Sequence, residues 1–397
     1  MRKIALVGIL LFCLLFLSCV KEEKKGYPIE IKKVDNVIYI NNPGFPKTPV
    51  KEFTLKEELS IGNEDDDDYI FVKVRKLWVD DQDNIYVVDR GKYQVKVFDK
   101  HGTYIRSFGR KGQGPGELLS PKDLIIDEKN KTIHILGYGN RKIVRYRFNG
   151  TFDSELKLKK GGPLCFFMDS DRFYLVRYSF INNHGDWYYK IIKYNLDGKI
   201  LLQSEEFPYH RQNIVQYGRL TISTPLPFEP SAYFTCDSKG NLHFGFSDKY
   251  KITVFDTAFN KLKVIQKNDP ELIKVSKEDK DNFINELKEA LKKKGLPHSP
   301  VLKRIKFPEY HPFFDDIWIN NKDRILVQTP SKDDRAHIDV FNKEGIYVEK
   351  MIINKPSDGI SLDYVFWKPV FKDKYIYAVV EDKNGIPLIK KYRIKEK

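Results

Sequence analysis

The sequence predicts an all-β fold, a six-bladed β-propeller. Three observations carry that expectation. A unit of β-rich runs and short polar turns recurs six times along the 397 residues, at about the length of one blade. Aromatic residues make up 14% of the chain, with 27 Phe and 23 Tyr against 3 Met, a bias that favours strands. A strand-like run near the amino end, Phe53 to Ile61, has the spacing of a fourth strand without a blade of its own.

Each repeat is anchored on an Asp or Asn after its first strand: Asp80, Asp127, Asp169, Asp237, Asn320 and Asp373. Apolar runs such as Leu77-Trp78-Val79 and Ile317-Trp318-Ile319 precede the anchors. Second strands such as Ile85-Tyr86-Val87 and Ile325-Leu326-Val327 follow. Third strands end in hairpin-type turns, as at Phe148-Asn149-Gly150. Tyr104 to Phe108 reads as a fourth strand. Near-continuous apolar first strands suit positions buried on both faces.

Gly109 lies 18 residues before Asp127, and Gly62 lies 18 residues before Asp80. Phe53 to Ile61 is therefore expected to be the fourth strand of the last repeat, about 364–394, which has only three. Joining the two ends in one blade removes two exposed sheet edges.

Two insertions break the rhythm. The stretch 205–228, with Pro208, Pro225 and Pro227, reads as a long ordered loop. The stretch 276–294 reads as a helix on the propeller rim. Ser276 is its N-cap candidate, Phe283, Leu287 and Leu291 fall at four-residue spacing, and Gly295 and Pro297 stop it.

The amino terminus reads as a targeting segment. Arg2 and Lys3 precede an apolar run from Ile4 to Leu17 that is short for a transmembrane helix. Phe16-Leu17-Ser18-Cys19 resembles a bacterial lipobox, with Cys19 as the lipidated residue. The expected organisation is a signal peptide over 1–19, a tether with extra strands over 20–50, and the propeller over 51–397. Such a chain works outside the cytoplasm, anchored to the bacterial envelope. Disulfides are possible there. Cys165 and Cys236 are nonetheless offset by three residues on neighbouring inner strands, about 10 Å at the usual rise. That exceeds disulfide reach, so two thiols are expected.

The stretch Gly109-Arg110-Lys111-Gly112-Gln113-Gly114-Pro115-Gly116-Glu117-Leu118, with Ser120-Pro121 after it, resembles the NHL-type six-bladed propellers. The run Asp80 to Asp89 supports the resemblance, which extends to bacterial cell-envelope lipoproteins of that class. It implies the fold. For function it implies only a range that includes ligand-binding scaffolds, partner-binding modules, and a few lyases and lactonases.

Residues that could carry chemistry are few. The Gly109–Gly116 loop lacks the Lys-Ser/Thr that opens a helix in a phosphate cradle. It is expected to be a connector with unusual backbone angles. Asp65-Asp66-Asp67-Asp68 lacks the alternation and the glycine of a calcium loop. The eight His show no zinc spacing. No catalytic residue, metal or cofactor is expected.

What remains is geometry. Propeller ligands sit over one mouth of the central channel, lined by the turns between second and third strands and by the starts of first strands. Those places hold Arg75, Asp89, Arg90, Lys122, Tyr138, Arg141, Arg177, Tyr178, Trp187, Asp248, His311 and Arg335. Arg with aromatic residues is a combination common in recognition patches. The net charge is +14. An envelope location and scattered Lys argue against nucleic acid. The sequence therefore predicts a non-catalytic binding module for a protein or an anionic or carbohydrate ligand. The rival expectation is a lyase or lactonase with a channel metal held by Asp, Glu, Asn or His.

Overall fold

A computed structural model describes residues 27–159, 162–181, 187–209, 212–362 and 369–397. The expected leader and its lipobox Cys19 lie outside the described residues. Two short strands come first, β1 (Glu30–Val34) and β2 (Val37–Asn42), then the long β3 (Lys51–Ile61). Small antiparallel sheets follow in series. The first is β4 (Val74–Val79), β5 (Ile85–Asp89), β6 (Gln94–Phe98) and β7 (Tyr104–Phe108). The second is β8 (Pro121–Asp127), β9 (Thr132–Gly137), β10 (Lys142–Arg147) and β11 (Phe152–Lys157). The third is β12 (Pro163–Met168), β13 (Tyr174–Ile181), β14 (Trp187–Tyr194) and β15 (Ile200–Gln203), with β16 (Phe207–Pro208) also on β14.

A hairpin of β17 (Gln212–Tyr217) and β18 (Leu220–Pro225) precedes the fourth sheet. That sheet is β19 (Ala232–Cys236), β20 (Leu242–Phe246), β21 (Lys251–Phe255) and β22 (Lys261–Lys267). β2 adds to β22 in parallel, and β1 forms the outer edge. Two helices follow, α1 (Lys277–Lys293) and α2 (Ser299–Leu302). The last strands are β23 (Asp316–Ile319), β24 (Ile325–Thr329), β25 (Ala336–Phe341), β26 (Tyr347–Ile353), β27 (Val370–Lys372), β28 (Tyr375–Glu381) and β29 (Pro387–Glu396).

β3 binds these last strands into one eight-stranded sheet. Its Phe53–Ile61 portion pairs antiparallel with β29, from Glu396 opposite Phe53 to Ile389 opposite Ile61. Its first residues, Lys51 to Phe53, pair in parallel with Met351 to Ile353 of β26. The amino-terminal strand thus completes the carboxy-terminal unit, as its spacing predicts.

The repeat anchors act through their side chains. Asp80, Asp169, Asp237 and Asn320 each accept from the amides two and four residues on, which closes the first turn. Asp99, Asn195 and Asp256 repeat the device between third and fourth strands, and Asp382 repeats it in the turn between β28 and β29. An Asx side chain mimics a backbone turn, hence these residue types recur there.

Neighbouring first turns also touch. Arg172 Nε donates to Asp127 at 2.6 Å, Ser238 Oγ donates to Asp323 at 2.6 Å, and Lys372 Nζ pairs with Asp83 at 2.6 Å. Gly240, at φ +78°, approaches Asp169 so closely that a Cβ there would lie 2.4 Å from its Cα. Only glycine fits both demands.

Apolar layers fill the spaces between consecutive sheets. Val88, Leu124 and Ile135 lie between the first two, and Leu136, Phe166 and Val176 between the second and third. Leu175, Phe207 and Leu242 follow, then Ile252, Ile317 and Val327. Leu55, Ile338 and Ile376 pack inside the eight-stranded sheet. Ile389 and Tyr377 meet Leu77 and Ile85 of the first sheet, so the last strands return to the first. The fold is all-β and propeller-like.

One expectation needs correction. The stretch 205–228 is not simply a loop, since it contains β16 and the β17–β18 hairpin. The expected helix α1 has a partner in that hairpin. Its Leu287 and Leu291 share a small core with Val215 and Ile222 of the hairpin and Val301 of α2. Each insertion buries the apolar face of the other, a pairing that periodicity within one segment does not reveal. The helix start is as expected: Ser276 Oγ accepts from Asp279 N at 3.0 Å, and Asp279 accepts from Ser276 N at 2.7 Å.

Polar groups are also buried between sheets. Asp339 is fully buried and accepts from Lys267 at 2.6 Å, Tyr250 at 2.7 Å and Tyr347 at 2.5 Å. The Lys267 ammonium lies 4.8 Å and 4.9 Å from the two ring centres. Asp339→Ala strands that lysine, so a loss of about 3–5 kcal/mol is expected in urea unfolding. His134 is fully buried, with Nδ1 2.6 Å from Tyr174 Oη and Nε2 2.8 Å from Thr132 Oγ1. Burial above all lowers its pKa from 6.5 to about 3. The unfolded imidazole takes a proton near pH 6.5 and the folded one does not. The contribution is therefore complete above pH 6.5 and is lost as the pH falls towards 3, by at most about 1.4 kcal/mol per unit. His134→Gln should flatten that part of the stability profile, measured as urea midpoints at pH 7 and pH 4.

Candidate functional site

In an antiparallel four-stranded sheet, the first strand starts, the second ends, the third starts and the fourth ends at one edge. Turns between second and third strands therefore share an end with the connections between sheets. The β17–β18 hairpin and the α1–α2 pair are both such connections and belong to this end.

The first and second sheets bring several of the predicted residues together here. Arg75 is the second residue of β4, and Arg90 follows β5. Burial, and then the Arg90 charge, lower Arg75 below the usual guanidinium range. Arg90 Nη2 lies 3.4 Å from Ser120 Oγ. Ser120, at φ +51°, accepts from Tyr138 N at 3.1 Å, which fixes the Tyr138 turn beside it. The Lys122 ammonium lies 4.9 Å from the Tyr138 ring centre, and Tyr138 is 44% exposed.

The third sheet continues the cationic run. Lys76 Nζ is 3.5 Å from Asp123. Asp123 also accepts from Leu124 N and Phe166 N, so it ties β8 to β12. Cys165 stands opposite Arg177 across β12 and β13. Burial raises its thiol, against the opposing charges of Arg177, Lys76 and Lys122. Cys165 and Cys236 are free thiols.

Arg177 is the most unusual member. Its guanidinium lies 4.9 Å from the Tyr189 ring centre and 5.0 Å from that of Phe234. Its Nε is buried without a hydrogen-bond partner, and among the described residues it has no carboxylate partner. Cation–π attraction replaces the usual ion pair. Tyr189 continues outward to Tyr209 at 4.6 Å, and Tyr209 to Trp187 at 5.5 Å between ring centres. Trp187 is 47% exposed.

Other predicted residues are placed elsewhere. Tyr178 is fully buried, with its hydroxyl 2.9 Å from that of Tyr194, so it belongs to the core. Asp89 is fully buried and accepts from the amides of Val72, Lys73, Gly91 and Lys92. It shapes the turn that carries Arg90 and has no exposed face for a ligand. His311 Nε2 lies 3.1 Å from Asp279, and its ring packs 4.5 Å from Phe228, which docks α1 onto the body. Arg335 is engaged by Asp333 at 2.7 Å and Glu52 at 3.0 Å. Asp248 and Arg141 are exposed in separate turns, Arg141 at φ +50°.

Sequence reading missed Lys76, Asp123, Tyr189, Tyr209 and Phe234. The strands of Lys76, Asp123 and Phe234 were legible, whereas Tyr209 lies in the stretch read as a loop. Phe234 meets Arg177 only because β19 packs beside the third sheet.

The glycine-rich connector behaves as expected. Gly109 and Gly116 adopt φ of +92° and +69°, and Glu117 accepts from Gly114 N at 2.8 Å and Arg110 Nε at 3.0 Å. The acidic run pairs locally, with Asp67 3.5 Å from Lys92. Among the described residues, no three His, Cys, Asp or Glu side chains are grouped to hold a metal. Among them too, no helix is long and apolar enough to cross a membrane.

Comparison with curated proteins returns no match. Among solved structures, the chain is similar to a protein of Bacteroides fragilis NCTC 9343 described as exported. That pair shares 13% identity and a TM-score of 0.50, over 90% of this chain and 99% of that one. A member of the DUF4221 family from Bacteroides vulgatus ATCC 8482 follows at 10% identity and a TM-score of 0.47, over 88% and 100%. Virginiamycin B lyase from Staphylococcus aureus gives 13% and 0.42, over 86% and 99%. At such identities a likeness concerns the fold alone. The match that covers residues 64–384 is to DUF4934, a domain of unknown function, and the chain belongs to that family.

Proposed function

We propose that the protein is an envelope-anchored, non-catalytic binding module, a six-bladed NHL-like propeller that holds its ligand over one channel mouth. Six apolar layers, five between successive sheets and one within the eight-stranded sheet, support the blade count. The leader and Cys19 support lipid anchoring outside the cytoplasm. The ligand is a protein or an anionic or carbohydrate molecule.

One observation carries this reading. Arg177 is held between two rings and, among the described residues, no carboxylate neutralises it. A planar guanidinium fixed in this way presents its remaining N–H groups for bidentate contact with an anion. Stability alone gives no reason to leave such a charge unpaired.

The test combines elemental analysis with affinity capture from envelope extract. The wild-type chain should carry no stoichiometric metal and should retain a component that Arg75→Gln and Arg177→Gln variants, checked for unchanged folding, release. A stoichiometric metal would instead favour the lyase or lactonase reading. Equal retention of every component by variants and wild type would also overturn the proposal.

A further inference from the structure

The cations at the ends of the first three sheets differ from those elsewhere in the chain. Most buried lysines are matched: Lys142 with Glu155 at 2.6 Å, Lys193 with Asp169 at 2.8 Å, Lys390 with Asp358 at 2.6 Å. Arg75 and Arg177 are not, and among the described residues neither side chain makes an ion pair or a hydrogen bond. Arg75 is partly buried on β4 where Val74 pairs with Asp89 of β5, one residue from Arg90, whose charge reaches it. Bringing two guanidinium groups together costs free energy unless an anion lies between them. The carboxylates on the same strand ends do not relieve this. Asp89 is used by four backbone amides, and Asp123 by two amides and Lys76.

Aromatic faces stand beside these charges. Tyr138 is half exposed next to Lys122 and the Arg90–Ser120 contact. Trp187 is half exposed at the outer end of the ring series that reaches Arg177. Tyr138 stands beside Lys122, and Trp187 has exposed Ile181 opposite it across β13 and β14; neither makes the broad, charge-poor apolar centre that a protein–protein interface needs. They suit the C–H face of a sugar ring, with its acidic substituent on a neighbouring arginine.

We propose that the end formed by the first three sheets binds an acidic polysaccharide, with its carboxylate or sulfate groups on Arg75, Arg90 and Arg177 and its sugar rings on Tyr138 and Trp187. The proposal rests on the reading of this end as a binding face and names its ligand class. It accounts for both the unpaired arginines and the exposed rings. A phosphate ion or an acidic peptide would use only the first.

The experiment titrates the full-length chain with polygalacturonate, heparin, poly-L-glutamate and neutral dextran. The first two probes separate carboxylate from sulfate, the third supplies carboxylates without rings, and the fourth rings without charge. Polygalacturonate or heparin should bind at least about tenfold more tightly than poly-L-glutamate or dextran, with affinity falling as salt rises. Arg75→Gln, and Arg177→Lys, which keeps charge but loses the planar fork, should each weaken that binding about tenfold. Trp187→Ala should weaken polysaccharide binding and leave any residual poly-L-glutamate binding unchanged. Thermal midpoints near that of the wild type show that these effects are not unfolding. Poly-L-glutamate binding as tight as the polysaccharides would overturn the proposal in favour of an acidic protein partner. Unchanged affinity in the arginine variants, or no polysaccharide binding at all, would overturn it too. If no polysaccharide binds but the variants still release an envelope component, the binding-face reading survives and only the ligand class fails.

Discussion

The strand Lys51–Ile61 is the constraint on which the rest of the molecule depends. A series of small sheets packed face to face gains stability only between neighbours, so the first and last sheets would each leave an apolar face open. Here the amino-terminal strand is the fourth strand of the last unit, and through its first residues it also pairs with β26. The chain cannot separate its ends without breaking both pairings and exposing Ile61, Ile389 and Tyr377 where they meet Leu77 and Ile85. Long-range pairing of this kind costs loop entropy once and then holds every intervening sheet in place.

That closure explains why the two ends of the sheets differ in chemistry. At one end, Asx turns satisfy their own amides and bond to the turns of adjacent sheets, as Arg172 does with Asp127 and Ser238 with Asp323. At the other end lie the connections between sheets, which are free to lengthen. The hairpin and helices are inserted there, and among the described residues the side chains of Arg75 and Arg177 stand there without an ion pair.

The two inserted segments show the same logic on a smaller scale. Neither the hairpin nor α1 has enough apolar surface to be stable alone. Together they bury Val215, Ile222, Leu287, Leu291 and Val301. His311 and Phe228 then attach this small body to the sheets.

The sequence by itself determined the β character, the repeat, its Asp and Asn anchors, the closing role of Phe53–Ile61 and the start of α1. Each of these is local, or is a spacing along the chain: an Asx side chain folds its own turn, and strand period is written in neighbouring residues. Only the tertiary structure decided which residues share a surface. Tyr178 and Asp89 occupy the same kind of position as Arg177 and Arg90, yet one is core and the other folds a turn. Alternation along a strand gives two faces, and in this fold a neighbouring sheet can cover either. Phe234 and Tyr189 became the slot for Arg177 because β19 of the fourth sheet packs beside the third, and no pattern within either segment encodes that distance.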